Sequence, residues 1–224
     1  MKKAAFFDVD GTLTSDNVWK GLMAYFKKHN KRYGTHLFFM LAHYPLYFMK
    51  KFGFISESKF RRDWAKHLAW YFRGYSLNEG NQIWTWVINE YLRDKWREDI
   101  IGVLKEHIAK GEIVMLVSAG PLPLVQYIAD YLGADFAVGT AVENHHGHYT
   151  GKSISPVCLD EFKAKLSLTA LEKEGIEVDL MNSYAYADSK TDIPLLEMVG
   201  NPCVVYPDEE LRYYAKQKGW RVIG

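Results

Sequence analysis

The sequence predicts an α/β fold with a mainly parallel sheet and an inserted all-helical domain. Two features of the chain predict this fold. Apolar runs of strand length alternate with helical segments through residues 97–224, which is typical of parallel sheets. Residues 17–96 instead form helix-compatible segments that are rich in aromatic and basic side chains and poor in turn signals. We therefore expect a core domain over residues 1–16 and 97–224, with residues 17–96 as a helical cap inserted after the first strand.

The individual elements follow from local patterns along the chain. Residues 2–9 and 112–117 are short apolar runs that predict two buried strands. Asn144 and Gly147 favour a hairpin turn, and Gly175 ends the helix that precedes it. After the second strand the predicted elements are helix 122–132, strand 136–138, hairpin 140–152, helix 161–174, strand 183–187, helix 194–198, strand 203–206, helix 209–218 and strand 220–223.

The bulk composition argues against several classes of function. A formal net charge of +1 gives no reason to expect binding to nucleic acid. The two cysteines, Cys158 and Cys203, lie far apart without a metal-binding spacing, which favours a reducing compartment. The amino terminus reaches the charged residue Asp8 too early to hold the apolar core of a signal peptide. We therefore predict a cytoplasmic protein.

The longest apolar stretch covers residues 36–55 and is interrupted by His43, Pro45, Lys50 and Lys51. It falls short of the ~18–20 apolar residues that a membrane-spanning helix needs. Three interpretations remain open, one of which is a dimer interface. The other two are a buried pair of helices and an interfacial patch beside lysines that makes peripheral contact with the inner face of a membrane.

Two carboxylates, Asp8 and Asp10, stand two residues apart where the first apolar strand meets a glycine turn. Side chains at this spacing in a strand point to the same face. They therefore converge at the carboxyl end of the strand, where open α/β sheets place their ligands. Such a pair is costly unless a cation or a proton neutralises it. The pair predicts a site of metal-assisted chemistry.

Other polar residues follow the later strands, and a lysine lies on a helix between them. Carboxylate oxygens suit Mg²⁺, which prefers octahedral oxygen ligands shared with phosphate and water. A serine hydroxyl, backbone amides beside glycine and a lysine suit a phosphate group. The candidate residues are Asp8, Asp10, Ser118, Ala119, Gly120, Lys163, Asp188 and Asp192.

The motifs that contain these residues resemble the four ordered motifs of the haloacid dehalogenase superfamily of phosphotransferases. The helical insertion after the first motif is similar to that of the phosphoserine-phosphatase-like branch. The resemblance covers essentially the whole chain outside the cap and implies a Rossmann-like three-layer core. The matching residues are Asp8-Val9-Asp10-Gly11-Thr12, Ser118, Lys163 and Asp188-Ser189-Lys190-Thr191-Asp192.

The resemblance implies a role for each carboxylate. Asp8 would be the nucleophile that attacks phosphorus and becomes an aspartyl-phosphate. Asp10 would protonate the leaving alkoxide and then deprotonate the attacking water. Asp8, the backbone carbonyl of Asp10, and Asp188 would bind Mg²⁺. Asp192 would act on the metal site from outside the ligand shell or through water.

The resemblance also implies a phosphate-binding set. Ser118, the amides of Ala119 and Gly120, and Lys163 would hold the phosphoryl oxygens as charge develops. Lys165 lies two residues from Lys163, and the two positions diverge by about 200° around a helix. Only one of these lysines can face the site, and the spacing after Cys158 favours Lys163.

Together these motifs predict an Mg²⁺-dependent phosphatase that hydrolyses a phosphate monoester through an aspartyl-phosphate. The substrate would be a small phosphoserine-like metabolite or a lipid phosphate such as phosphatidylglycerophosphate. A phosphotransferase or mutase with the same intermediate is an alternative, and so is a non-catalytic phosphate-binding protein.

Two other groups of residues have competing interpretations. Arg61, Arg62 and Arg73 would reach an anionic substrate or lie on a solvated helix face. The histidines of the segment His145-His146-Gly147-His148 predict an exposed hairpin tip rather than a functional metal site.

Overall fold

The computed structural model describes all 224 residues, and a six-stranded parallel sheet forms its centre. The strand order is β3-β2-β1-β6-β7-β8, and β4 and β5 form a separate antiparallel hairpin. The strands are β1 (Ala4–Asp8), β2 (Ile113–Pro121), β3 (Phe136–Thr140), β4 (Val142–His145), β5 (His148–Ser153), β6 (Tyr184–Ala187), β7 (Asn201–Val205) and β8 (Arg221–Ile223). 

Nine α-helices accompany the strands, and the first five of them fall between β1 and β2. They are α1 (Val18–Lys28), α2 (Tyr33–Lys51), α3 (Glu57–His67), α4 (Leu77–Trp86), α5 (Glu98–Ala109), α6 (Leu122–Leu132), α7 (Glu161–Lys173), α8 (Ile193–Glu197) and α9 (Glu209–Lys218). The predicted α/β fold with an all-helical insertion is confirmed. The domain limits at residues 16/17 and 96/97 stay a prediction.

Both faces of the sheet are buried, which explains why its central strand is apolar without alternation. In β1, Phe7 belongs to one apolar cluster and Phe6 to another on the opposite face. The cluster around Phe7 also contains residues of the helical insertion, including Leu22, Phe26 and Trp84. The insertion and one face of the sheet therefore share one continuous core.

One strand end differs from the expected one, whereas the expected hairpin forms. Strand β2 runs on to Pro121, because Pro121 pairs with Thr140 and the Thr140 hydroxyl donates to the Ala119 carbonyl at 2.7 Å. The histidine-rich segment forms the predicted hairpin, whose turn residues His146 and Gly147 have positive φ angles of 49° and 77°. Its three imidazoles are exposed.

The apolar stretch 36–55 contains one helix, α2, and its C-terminal turn. The interpretation of this stretch as a buried helix pair is wrong. Only Phe39 and His43 of α2 are buried, because one face of the helix packs on α3 and the following 3₁₀ turn. Phe39 contacts Trp64 and Tyr71 there, with ring centroids 4.8 and 5.4 Å apart. No helix in the chain is both long enough and apolar enough to cross a membrane.

Candidate active site

The sheet order brings the predicted motifs to one edge. Strand β1 lies between β2 and β6, with Asp8 paired to Val117 and Phe7 paired to Tyr186. Ser118 therefore continues β2 beside the end of β1, and Asp188 follows β6 on the other side. The first, second and last motifs meet because parallel strands end at the same edge of the sheet.

A glycine turn after β1 makes room for Asp188. Gly11 has a φ of +92°, a conformation that L side chains rarely adopt. A Cβ atom at Gly11 would lie 2.2 Å from Oδ2 of Asp188. The next residue, Thr12, donates its hydroxyl to Oδ1 of Asp188 at 3.2 Å. The turn thus leaves space for the Asp188 carboxylate and donates a hydrogen bond to it.

Replacing Gly11 with alanine is expected to lower kcat/KM on a phosphate ester at least about tenfold. The new methyl group would displace Asp188, and the positive φ would add a conformational penalty of about 1–2 kcal/mol. Initial rates on a chromogenic ester and thermal unfolding measure the two effects. The matched control is Gly102→Ala in α5, where a Cβ meets no atom within 4 Å. This control should keep full activity, and equal losses in both variants would contradict the role of Gly11.

Lys163 projects from α7 between two buried carboxylates. Its Nζ lies 2.5 Å from Oδ1 of Asp8 and 2.5 Å from Oδ1 of Asp192. Burial opposes the charged form of Lys163, but the charges of Asp192 and Asp8 outweigh it and hold the pKa above its usual range. Lys165 is exposed and lies over the Phe162 ring instead. The structure therefore brings Lys163, and not Lys165, to the carboxylates.

Three carboxylates form a compact acidic cluster, which consists of Asp8, Asp188 and Asp192. One oxygen from each lies within 4.8 Å of the others. Burial, with the neighbouring negative charges of Asp8 and Asp192, raises the pKa of Asp188 to about 9. Burial also raises the pKa of Asp192 to about 6, although Lys163 opposes this shift. A single lysine leaves the cluster short of positive charge.

Asp10 lies beside this cluster but its carboxylate has different partners. It accepts hydrogen bonds from the Val18 amide at 2.5 Å and from the Ser118 hydroxyl at 3.1 Å. Burial raises the pKa of Asp10 despite these donors. The side chain is therefore held at the start of α1, where the chain enters the cap.

The second motif has a geometry that the sequence does not reveal. Ser118 is fully buried, and its hydroxyl accepts a hydrogen bond from the Gly120 amide at 3.0 Å while donating to Asp10. Ala119 and Gly120, with Lys163, line the cavity above the acidic cluster. The phosphate-binding role of Ser118, Ala119, Gly120 and Lys163 stays a prediction, as do the roles of the aspartates.

A cavity of about 380 Å³ opens above these groups, and residues of the cap line its other side. Arg61 is the one of the three candidate arginines that lines it, and its Nη1 donates to the hydroxyls of Ser189 and Thr191 at 3.2 Å each. Sequence reasoning missed the other cap residues of the cavity, which have no polar motif to mark them. These are Asn17, Trp19, Tyr47, Phe60, Trp64, Ala65 and Leu68.

A polar contact joins the cap to the helix that carries Lys163. Asp160 immediately precedes α7, with a φ of 51°, and accepts hydrogen bonds from the Ser58 hydroxyl and from Arg62 of α3. Arg62 therefore binds Asp160 of the core domain and does not line the cavity. Nothing in the sequence pattern singles out Asp160, because a lone aspartate before a helix is an ordinary cap residue.

Comparison with known proteins supports the interpretation of the motifs. Residues 5–197 match the family model of haloacid dehalogenase-like hydrolases. The chain is 31% identical over 227 residues to the Mycobacterium tuberculosis protein named phosphoserine phosphatase SerB1, covering 98% of this chain and 70% of that one.

Solved structures share the fold. A Bordetella pertussis protein of unknown function superposes with a TM-score of 0.82 at 25% identity, covering 100% of this chain and 99% of that chain. A substrate-bound phosphoserine phosphatase matches with a TM-score of 0.63 at 18% identity, covering 100% and 93%, which shows similarity of fold alone. The chain therefore belongs to the haloacid dehalogenase-like hydrolase family, as a phosphatase that resembles the phosphoserine-phosphatase-like branch.

Proposed function

We propose that this protein is an Mg²⁺-dependent phosphatase that hydrolyses a phosphate monoester through an aspartyl-phosphate on Asp8. The observation that carries the proposal is the placement of two neighbouring carboxylates in different surroundings. Asp8 contacts Lys163 within the acidic cluster, whereas Asp10 is bonded to Ser118 and Val18 outside it. Carboxylates with different partners are suited to different tasks.

In the first step an Asp8 oxygen forms a bond to phosphorus, and the bond from phosphorus to the ester oxygen breaks. Asp10 gives its proton to the departing alkoxide, which is consistent with burial favouring its protonated form. In the second step Asp10 takes a proton from water, which attacks phosphorus and releases Asp8. In this proposal Lys163 and the backbone at Ala119 and Gly120, which line the cavity, hold the phosphoryl oxygens.

The donor set of the cluster fits Mg²⁺, because oxygen ligands at close range are what this ion prefers. Asp8, Asp188 and the backbone carbonyl of Asp10 would hold the ion, with Asp192 beside them. When bound, the ion supplies positive charge for the phosphoryl oxygens and for the crowded carboxylates.

Two substrate classes suit the site. A small phosphorylated metabolite of the phosphoserine kind is supported by the relative's name and by a cavity of about 380 Å³. A lipid phosphate, with peripheral membrane contact through the cap, is supported by the exposed apolar side chains of α2.

The test is a panel of phosphate monoesters assayed for phosphate release with Mg²⁺ and with excess chelator. Hydrolysis that requires Mg²⁺ supports the proposal. Transfer of phosphate to an added alcohol in preference to water would favour the phosphotransferase or mutase alternative. Phosphate binding without hydrolysis of any ester would favour the non-catalytic alternative.

Mg²⁺ is expected to raise the melting temperature of the protein by roughly 5–10 °C at a concentration about 100 times its Kd. Binding to the folded state alone adds about 2.7 kcal/mol under that condition, and a chain of this length gains about 2–4 °C for each kcal/mol. Asp188→Asn should abolish most of the increase and raise the melting temperature of the metal-free protein, since it removes one of three crowded carboxylates. An unchanged response in Asp188→Asn, measured by scanning calorimetry at constant ionic strength, would refute this ligand assignment.

A further inference from the structure

One face of α2 is an apolar stripe without a covering element. Its members are spaced by three or four residues, so they line one side of the helix, opposite the buried Phe39 and His43. Each side chain is between 45% and 81% exposed. We call this surface the outer stripe; it comprises Tyr33, Leu37, Leu41, Tyr44, Phe48 and, in the following turn, Phe52. Apolar patches of this kind on a protein surface mark interaction sites.

The chain around the outer stripe carries charge of one sign. Residues 17–56 contain no aspartate or glutamate. They contain seven basic residues, which are Lys20, Lys27, Lys28, Lys31, Arg32, Lys50 and Lys51. An apolar helix face flanked by lysine and arginine is the pattern of a helix that lies in the interface of an anionic membrane. The same charge would repel a second copy of this face.

The outer stripe leads directly to the cavity. Phe48 contacts Tyr47 with ring centroids 5.7 Å apart, and Tyr47 contacts Phe60 at 6.2 Å. Tyr47 and Phe60 both line the cavity that contains Asp8. The Nζ of Lys50 lies 5.7 and 5.6 Å from the centroids of these two rings. A cation therefore stands where the apolar surface meets the cavity.

We propose that the outer stripe docks on an anionic lipid bilayer and that the site takes the phosphate monoester of a membrane lipid. This inference rests on the proposed phosphatase function. The aromatic rings would lie at the level of the lipid headgroups and the lysines would contact their phosphates. The headgroup would enter beside Lys50, Tyr47 and Phe60 and reach Asp8, while the acyl chains stay in the bilayer.

Cosedimentation with vesicles tests the docking. The protein should bind vesicles of equimolar phosphatidylcholine and phosphatidylglycerol more tightly than pure phosphatidylcholine, and less tightly as salt rises from about 0.1 to about 1 M. Leu41→Glu and Tyr44→Glu should each lower the partition coefficient about tenfold or more, because each puts a charge where the stripe would meet the bilayer. The matched control is Tyr213→Glu on α9, whose side chain is 67% exposed outside the stripe. It should bind as the unmodified protein does.

An activity assay with two substrates tests the substrate class. Tyr44→Glu should lower hydrolysis of phosphatidic acid in the same vesicles at least about tenfold while leaving hydrolysis of dissolved para-nitrophenyl phosphate unchanged. Failure of the unmodified protein to bind anionic vesicles, or equal losses on both esters, would overturn the proposal.

Sedimentation velocity of the unmodified protein and of Tyr44→Glu tests the competing occupant. A dimer that Tyr44→Glu dissociates, together with no vesicle binding, would assign the stripe to a second copy and overturn the membrane proposal. Failure of the phosphatase proposal has a different signature. The unmodified protein would then bind vesicles but release phosphate from neither ester.

Discussion

Replacing Asp8 with asparagine is expected to lower kcat on every phosphate monoester by about 10⁴-fold or more, which is the scale of losing a covalent nucleophile. The amide keeps the shape of the carboxylate but cannot form the acyl phosphate. The fold should survive, because Lys163 retains its contact with Asp192 at 2.5 Å and the acidic cluster loses one negative charge. Initial rates of phosphate release and circular dichroism measure the two properties.

The matched control for this variant is Asp94→Asn. Asp94 is exposed and lies outside the cavity, so this variant should keep the rate of the unmodified protein. Retention of more than about a hundredth of the original kcat by Asp8→Asn would remove Asp8 from the nucleophile role. The protein would then catalyse a reaction that does not use Asp8 as its nucleophile.

Replacing Lys163 with methionine is expected to have the largest effect on stability, about 3–5 kcal/mol in the free energy of unfolding. Methionine is apolar and keeps the reach of most of the side chain, but it leaves Asp8 and Asp192 buried without their cation. Urea unfolding at neutral pH measures the loss. Activity should fall about 10²–10³-fold as well, because the proposed role of Lys163 is to hold the phosphoryl oxygens with its charge.

Lys165→Met is the control. Lys165 lies on the same helix, is exposed, forms no ion pair and lies over the Phe162 ring. It should change the free energy of unfolding by less than about 0.5 kcal/mol. Mg²⁺ should restore part of the stability of Lys163→Met by supplying positive charge to the same carboxylates. Equal changes in the free energy of unfolding for Lys163→Met and Lys165→Met would show that the buried ion pairs contribute no net stability.

Much of the core was predictable because parallel strands impose a strong pattern. The apolar runs of β1 and β6 end at aspartates, and the rule that parallel strands share a carboxyl edge suffices to bring Asp8 and Asp188 together. The period of a helix shows that only one of Lys163 and Lys165 can face the site, and the spacing after Cys158 favours Lys163. The end of an apolar strand and the face of a helix can each be predicted from a short segment of sequence.

The cap was less predictable because its packing depends on partners that are distant in the chain. The stretch 36–55 is apolar on most sides of its helix, so hydrophobic periodicity does not identify the face that lacks a partner. Tyr47 and Phe60 reach the cavity only through the packing of α2 on α3. Asp160 has its role only because α3 approaches α7 from another part of the chain.

The apolar cluster shared by the sheet and the helical insertion has a consequence for folding cooperativity. Leu22, Phe26 and Trp84 of the insertion are buried in the same cluster as Phe7 of the central strand. Excising the insertion would expose one face of the sheet to water, and the excised helices would lose the surface on which they are ordered. Core and insertion are therefore thermodynamically interdependent, and heat or denaturant should unfold them in a single transition.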